Sequence, residues 1–287
     1  MPTFEPSKQS SLAWTGGKLR IAGATDVGRV RRMNQDAYGY FRDEDRDEVL
    51  FVVADGLGGH RGGEVASGMA VEALATEIRK GDDDPGLRLR AAIETANHKI
   101  LEAAREDRSL DGMGTTIVCL LLANDRRSVV AHVGDSRLYR LRGEVLTAVT
   151  EDHSLVATLL REGVLSEEEA KQDPRRNQIL RALGIRDDVE VEVADLHPLA
   201  GDRYLLCSDG LHGFIDDDET KRLLAIDDEP AKAAGNLIEA ANVAGGNDNI
   251  TCLIASLPES TLFPTFRSGT ARLVATTRSL FRRTPDE

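Results

Sequence analysis

Phe51-Val52-Val53-Ala54-Asp55-Gly56-Leu57-Gly58-Gly59-His60 is the stretch from which the rest of the chain can be read. Phe51 to Ala54 is a short apolar run, the pattern of a strand buried on both faces. It stops on a carboxylate followed at once by glycine. Asp55 therefore stands at the mouth of a core strand, where water still reaches, and the glycines let backbone come close to whatever Asp55 holds. Downstream, Gly62-Gly63-Glu64-Val65-Ala66-Ser67 opens a helix; upstream, Asp26-Val27-Gly28-Arg29-Val30-Arg31-Arg32-Met33-Asn34-Gln35-Asp36 leads into an extended segment. Alone, Asp-Gly is an ordinary turn dipeptide. Recurrence makes it more. The device returns at Val133-Gly134-Asp135-Ser136-Arg137, at Leu205-Leu206-Cys207-Ser208-Asp209-Gly210-Leu211 and at Gly246-Asn247-Asp248-Asn249-Ile250-Thr251. Four carboxylates beside core-type strands point to convergence on one site.

Composition bounds the class. A chain of 287 residues with 41% hydrophobic and 30% charged residues is that of a globular protein, and no Pro/Ser/Gly linker divides its middle. The net charge is −13, while residues 264–287 alone carry five Arg against two acids. So acidic a body excludes nucleic acid as partner, because phosphates need Lys and Arg to neutralise them. The longest apolar run, Ile117 to Ala123, is far short of the roughly 20 residues of a transmembrane helix, and no signal-peptide core is evident. Cys119, Cys207 and Cys252 all lie in strand-like runs without paired spacing; buried thiols in a reducing cytoplasm are expected.

The periodicities predict an order. Residues 1–17 read as a flexible N-terminal tail, 18–257 as one folded domain, and 258–287 as a basic, disordered tail. Strands are expected at Lys18–Thr25, Ala37–Phe41 and Val49–Ala54. Amphipathic helices follow at Gly63–Arg79 and at Pro85–Glu106, where Pro85 suits a helix start. Thr115–Leu122, Ser128–Val133, Ser136–Leu141 and Val145–Val149 form a meander with short turns, hence antiparallel pairing. Residues 153–185 are polar and helix-prone. Strands at Val189–Leu196, Arg203–Cys207 and Ile250–Leu257, with helices at Asp217–Ile226 and Ala231–Ala244, complete the chain. Strands in two groups with two helix pairs fit two antiparallel sheets faced by helices.

Six motifs stand in order: Arg31-x-x-Asn34-x-Asp36, Ala54-Asp55-Gly56-x-Gly58-Gly59-His60, Gly112-Met113-Gly114-Thr115-Thr116, Gly134-Asp135-Ser136-Arg137, Ser208-Asp209-Gly210-Leu211 and Asp248-Asn249-Ile250-Thr251. From about Leu19 to Leu257 the chain thus resembles the bacterial form of the type 2C (PPM family) metal-dependent Ser/Thr protein phosphatases. The resemblance implies an α+β fold, a four-layer α/β/β/α sandwich of two antiparallel β-sheets flanked by helix pairs. It makes 153–185 a surface flap beside the active site, and it implies hydrolysis of phosphoserine and phosphothreonine proteins, opposing a bacterial Ser/Thr kinase.

The resemblance also assigns roles. Asp55 bridges two metals, Asp209 and Asp248 complete the first, and the Gly56 carbonyl contributes to the second. Asp135 with Asp209 holds a third, weaker ion, and Asp36 orders metal-bound water. Gln35 departs from the family, which more often has an acid there; weaker second-metal affinity is expected. Arg31 is the phosphate clamp, with adjacent Arg32 the competing candidate. His60 stands where the family proposes a general acid, a structural cap of the glycine turn being the alternative. His153 reads as a turn or helix-start residue, His132 and His212 as structural. Asn249 and Thr251 are expected to fix the Asp248 turn.

Charge supports a metal. Two carboxylates about 4 Å apart repel by roughly 4 kcal/mol at an effective dielectric of 20, so three packed together cost on the order of 10 kcal/mol. Protons or cations must neutralise them, and all-oxygen ligands suit Mn²⁺ or Mg²⁺. Two such ions would lower the pKa of a shared water toward about 7 and supply a bridging hydroxide for in-line attack on phosphorus. Two rival readings carry less: a catalytically inactive binding module, against which intact Asp55, Asp209, Asp248 and Arg31 speak, and a phosphatase of anti-sigma-factor antagonists, against which the Arg31 clamp and the flap speak.

Overall fold

The Phe51–Ala54 run lies in the middle of a sheet, as its composition demands. In the computed structural model, which describes residues 10–14, 17–58, 61–81, 83–124, 127–226 and 228–259, strand β4 (Glu48–Leu57) is flanked by β3 (Asp36–Asp43) and β6 (Ile117–Ala123). Beyond β6 come β7 (Ser128–Val133) and β10 (Glu192–Leu196), while the two-residue β5 (Gly114–Thr115) pairs with the end of β4. The second sheet runs β1 (Ser10–Trp14), β2 (Gly17–Asp26), β12 (Ile250–Ser256), β11 (Arg203–Cys207), β8 (Arg137–Arg142) and β9 (Val145–Ala148). All pairings within the two sheets are antiparallel.

Alternation along the strands divides the apolar residues among three cores. Leu50, Val52, Ala54, Cys119, Leu121, Val129 and Ala131 face helices α1 (Gly62–Glu77) and α2 (Pro85–Glu106). Phe51, Val53, Val118, Leu120, Leu138, Leu206 and Leu253 fill the space between the sheets. Tyr139, Leu205, Cys207, Cys252 and Ile254 face helices α6 (Asp217–Ile226) and α7 (Pro230–Val243). Three cores between four layers make the sandwich the motifs implied. Asp84 caps α2 by accepting from the Gly86 and Leu87 amides, with Pro85 at the first helical position.

Three local differences from the sequence reading have physical causes. Ser10–Trp14, expected within the flexible tail, forms β1, because Leu12 and Trp14 alternate onto the inter-sheet core. The expected strand Thr115–Leu122 breaks at Thr116, whose amide and hydroxyl are both turned onto the backbone of Asp55. The 153–185 segment, read as helix-prone, does contain helices, α3 (Leu155–Arg161) and α4 (Glu167–Gln172), the latter started by a Ser166–Glu169 capping box. Asp209 begins a one-turn helix, α5 (Asp209–His212), which periodicity cannot register in four residues. Residues 1–9 and 260–287, including the basic tail, lie outside the described residues. Among the described residues, no helix is long and apolar enough to cross a membrane.

Candidate active site

Register brings the carboxylates together. Asp36, the first residue of β3, pairs directly across from Asp55 on β4. In the other sheet Cys207 sits opposite both Arg137 and Cys252. Continuing the β11–β8 register by two residues sets Asp209 opposite Asp135, and Asp248 stands two residues before β12 at the same end. The side chains reach one another: Asp55 hydrogen-bonds Asp209, and Asp36, Asp135, Asp209 and Asp248 are close enough to feel each other's charge.

The cluster is starved of compensation. One carboxylate oxygen each of Asp36, Asp135 and Asp209 is enclosed without a hydrogen-bond partner. Burial first, and neighbouring acids second, push Asp36 up to about 7, Asp135 to about 8 and Asp209 to about 6, and hold Asp55 well above the usual carboxylate range. Asp209 and Asp36 keep some surface as whole residues, but their Oδ1 atoms are fully shielded. Buried oxygens of one sign with unused lone pairs are a donor set for a hard divalent cation. The residues present therefore fit the metal that the motifs implied.

The surroundings fix the cluster. Ser208 Oγ donates to Asp36 Oδ2 at 2.8 Å and accepts the Thr251 amide at 3.0 Å. Thr115 Oγ1 and the Thr116 amide both donate to Asp55 O at 2.9 Å, and the Asp55 amide returns to Thr116 Oγ1 at 3.1 Å. Gly56 lies so close to the start of α1 that a Cβ would collide with the Gly63 carbonyl. Gly134 has φ +106°, and a Cβ there would lie 2.7 Å from Thr116 Cβ. The Gln35 side chain donates through Nε2 to Gly58 O at 3.4 Å, so it is engaged by the glycine turn.

Arg31 Nη2 donates to Asp248 Oδ2 at 2.7 Å while half of its side chain stays exposed. The loop that carries it is stitched by Asn249, whose Nδ2 donates to Val27 O at 3.0 Å and Met33 O at 2.9 Å, and whose Oδ1 accepts the Gln35 amide at 2.8 Å. Asn249 thus secures the Arg31 loop more than the Asp248 turn, though its own amide does donate to Asp248 Oδ1. Thr251 pairs its hydroxyl with Thr25. The sequence reading missed Ser208 as the anchor of Asp36; its place before Asp209 was the one signal. It also missed the stacking of His153 on His132, with ring centroids 4.5 Å apart. His212 Nε2 lies 2.9 Å from the Asp135 carbonyl, and burial drops its pKa to about 4. His60 lies outside the described residues. Cys119, Cys207 and Cys252 are free, buried thiols whose pKa values burial raises, which excludes a thiolate nucleophile.

Comparison with known proteins agrees with this geometry. Residues 28–231 match the family model described as Protein phosphatase 2C. The serine/threonine phosphatase Stp of Listeria monocytogenes is 41% identical over 235 residues, covering 80% of this chain and 92% of that protein. The crystal structure of the Mycobacterium tuberculosis serine/threonine phosphatase PstP superposes with a TM-score of 0.76 at 39% identity, covering 84% of this chain and 99% of that one. The catalytic domain of PstP in complex with two manganese ions superposes at 0.75 with 38% identity, again covering 84% and 99%. Sequence over most of the chain and the fold are thus shared with serine/threonine phosphatases, and the chain belongs to the protein phosphatase 2C family of metal-dependent serine/threonine protein phosphatases.

Proposed function

We propose that Asp55, Asp209 and Asp248, with the Gly56 carbonyl, hold two divalent ions, Mn²⁺ or Mg²⁺, and that Asp135 with Asp209 holds a third, weaker one. The observation that carries this reading is the set of enclosed, partnerless oxygens on Asp36, Asp135 and Asp209. When bound, such ions activate water as a nucleophile and offset charge on a phosphoryl group. The chain's own residues do the rest. Asp36, held by Ser208, is placed to orient water at the site. Arg31 swings its exposed fork from Asp248 to two oxygens of the phosphoserine or phosphothreonine, for which a planar guanidinium is matched. His60 delivers a proton to the departing serine or threonine oxygen. The physiological setting is the cytoplasm, opposite a Ser/Thr kinase; the three reduced thiols support that compartment.

The test is phosphate release from a phosphothreonine peptide, in Mn²⁺ and in chelator, for wild type and Asp209→Asn. Release that requires both the ion and Asp209 supports the assignment. Turnover by Asp209→Asn at the wild-type rate would refute it, and tight ion binding without any turnover would favour a binding module.

A further inference from the structure

His153 occupies a joint. Its backbone amide donates to Gly134 O at 3.0 Å, and the Gly134 amide returns to His153 Nδ1 at 3.2 Å. The His153 carbonyl accepts the Leu180 amide at 2.8 Å, so the entering and leaving stems of the flap meet on this residue. The ring is buried and stacked on His132, with Nε2 3.2 Å from Glu192 Oε2 and 3.1 Å from Arg181 Nη1. His132, His153 and Glu192 place donor atoms within 4.8 Å of one another, a spacing that a cation could bridge. Stacked rings at 20°, however, send their in-plane lone pairs side by side, and the Gly134 amide already occupies Nδ1 of His153. The edge with consequences is the one on Gly134, because the next residue is Asp135.

We propose that His153 is a positioning residue for Asp135: Nδ1 sets the Gly134–Asp135 turn, and the His153 backbone ties the flap to the same turn. The seat of the flap and cation binding at the Asp135–Asp209 pair then change together. This rests on those two carboxylates holding an ion. Gly134 sits at φ +106° against Thr116, so the turn needs an external hold, and its amide can donate only to an unprotonated Nδ1. Burial first, then His132 and Arg181, lower the ring's pKa against the pull of Glu192, which keeps Nδ1 bare. The ring proton is left on Nε2, toward Glu192.

The experiment is a calorimetric Mn²⁺ titration of the full chain, with KM for a phosphothreonine peptide measured beside it. Phe at 153 keeps a ring in the stack but offers no acceptor; Asn places Oδ1 where Nδ1 was. His153→Phe is expected to weaken the last Mn²⁺ to bind about ten-fold, in line with one buried amide left unpaired, and to raise KM, with the tighter ions unaffected. His153→Asn restores most of both, and Asp135→Asn removes that last binding event. Unchanged Mn²⁺ binding in His153→Phe, where Asp135→Asn does abolish the weakest event, overturns the role of His153. Asp135→Asn titrating like wild type overturns the ion assignment itself, and this proposal with it. Wild-type protein labelled with ¹⁵N-histidine provides a check that needs no variant: at neutral pH the His153 signal should report a bare Nδ1 and a protonated Nε2, and a proton on Nδ1 overturns the proposal.

Discussion

Removing a ligand from this site should make the metal-free protein more stable. Asp209 titrates at about 6 instead of 3.8, raised by burial first and by Asp248 second. Because the folded value lies above the unfolded one, the stability this group contributes is complete below about pH 4 and is lost as pH rises through about 6. At pH 8 in chelator the whole difference is felt. Two units at 1.36 kcal/mol each make ionised Asp209 cost the empty fold about 3 kcal/mol. Asp209→Asn removes that charge with little change in volume, and Asp209 Oδ1 makes no hydrogen bond to lose. For a chain of this size 1 kcal/mol shifts the melting temperature by about 2–4 °C. The variant should therefore melt roughly 6–12 °C above wild type by circular dichroism at pH 8 in chelator. Adding Mn²⁺ inverts the order. Each site filled at 100 times its Kd stabilises the fold by about 2.7 kcal/mol, so two ions raise wild type by about 5 kcal/mol, and the variant gains little. Should Asp209→Asn melt below wild type in chelator, or gain as much as wild type from Mn²⁺, electrostatic frustration relieved by cations is not what shapes this site.

Arg31→Ala should lower kcat/KM on a phosphothreonine peptide by about 10- to 150-fold, the worth of a charge-assisted pair, with Lys failing to restore it and Arg32→Ala near wild type; equal losses at both positions would reopen the choice between them. Ser208→Ala strands the Thr251 amide and takes one of the donors from Asp36, so it should destabilise the chain by about 1–3 kcal/mol in urea melts. Gly56→Ala forces a methyl against the Gly63 carbonyl and should displace the start of α1, costing about 1–3 kcal/mol and weakening Mn²⁺ binding measured by calorimetry. Deleting residues 264–287 removes no residue assigned to the site, and kcat on the peptide should be unchanged.

The sequence showed the carboxylates but not what holds them. Asp55, Asp135, Asp209 and Asp248 were legible because each interrupts or abuts an apolar run, and such runs have one reading in a sheet. The strands were legible for the same reason: Ser128–Val133 and Arg203–Cys207 come out at the expected residues. What escaped was tertiary. Thr116 looks like any strand threonine until Asp55 turns out to be its neighbour across the sheet. Ser10–Trp14 has too few apolar residues to be read as a strand alone, and becomes one because β2 offers it a ladder and the inter-sheet core takes Leu12 and Trp14.

The same distinction explains why Asn249 was half understood. An Asn after Asp reads as a local turn-maker, since Asn side chains bond backbone a residue or two away. Here its bonds reach Val27, Met33 and Gln35, more than 200 residues back. That span joins the loop presenting Arg31 to the turn presenting Asp248, and the two side chains then meet at 2.7 Å. A cation at Asp248 would take over as its counter-charge and release the guanidinium toward phosphate. On the proposed assignment, phosphate clamp and metal site are built as one unit: the carboxylate proposed to hold the ion also parks the arginine, and Asn249 keeps both within reach.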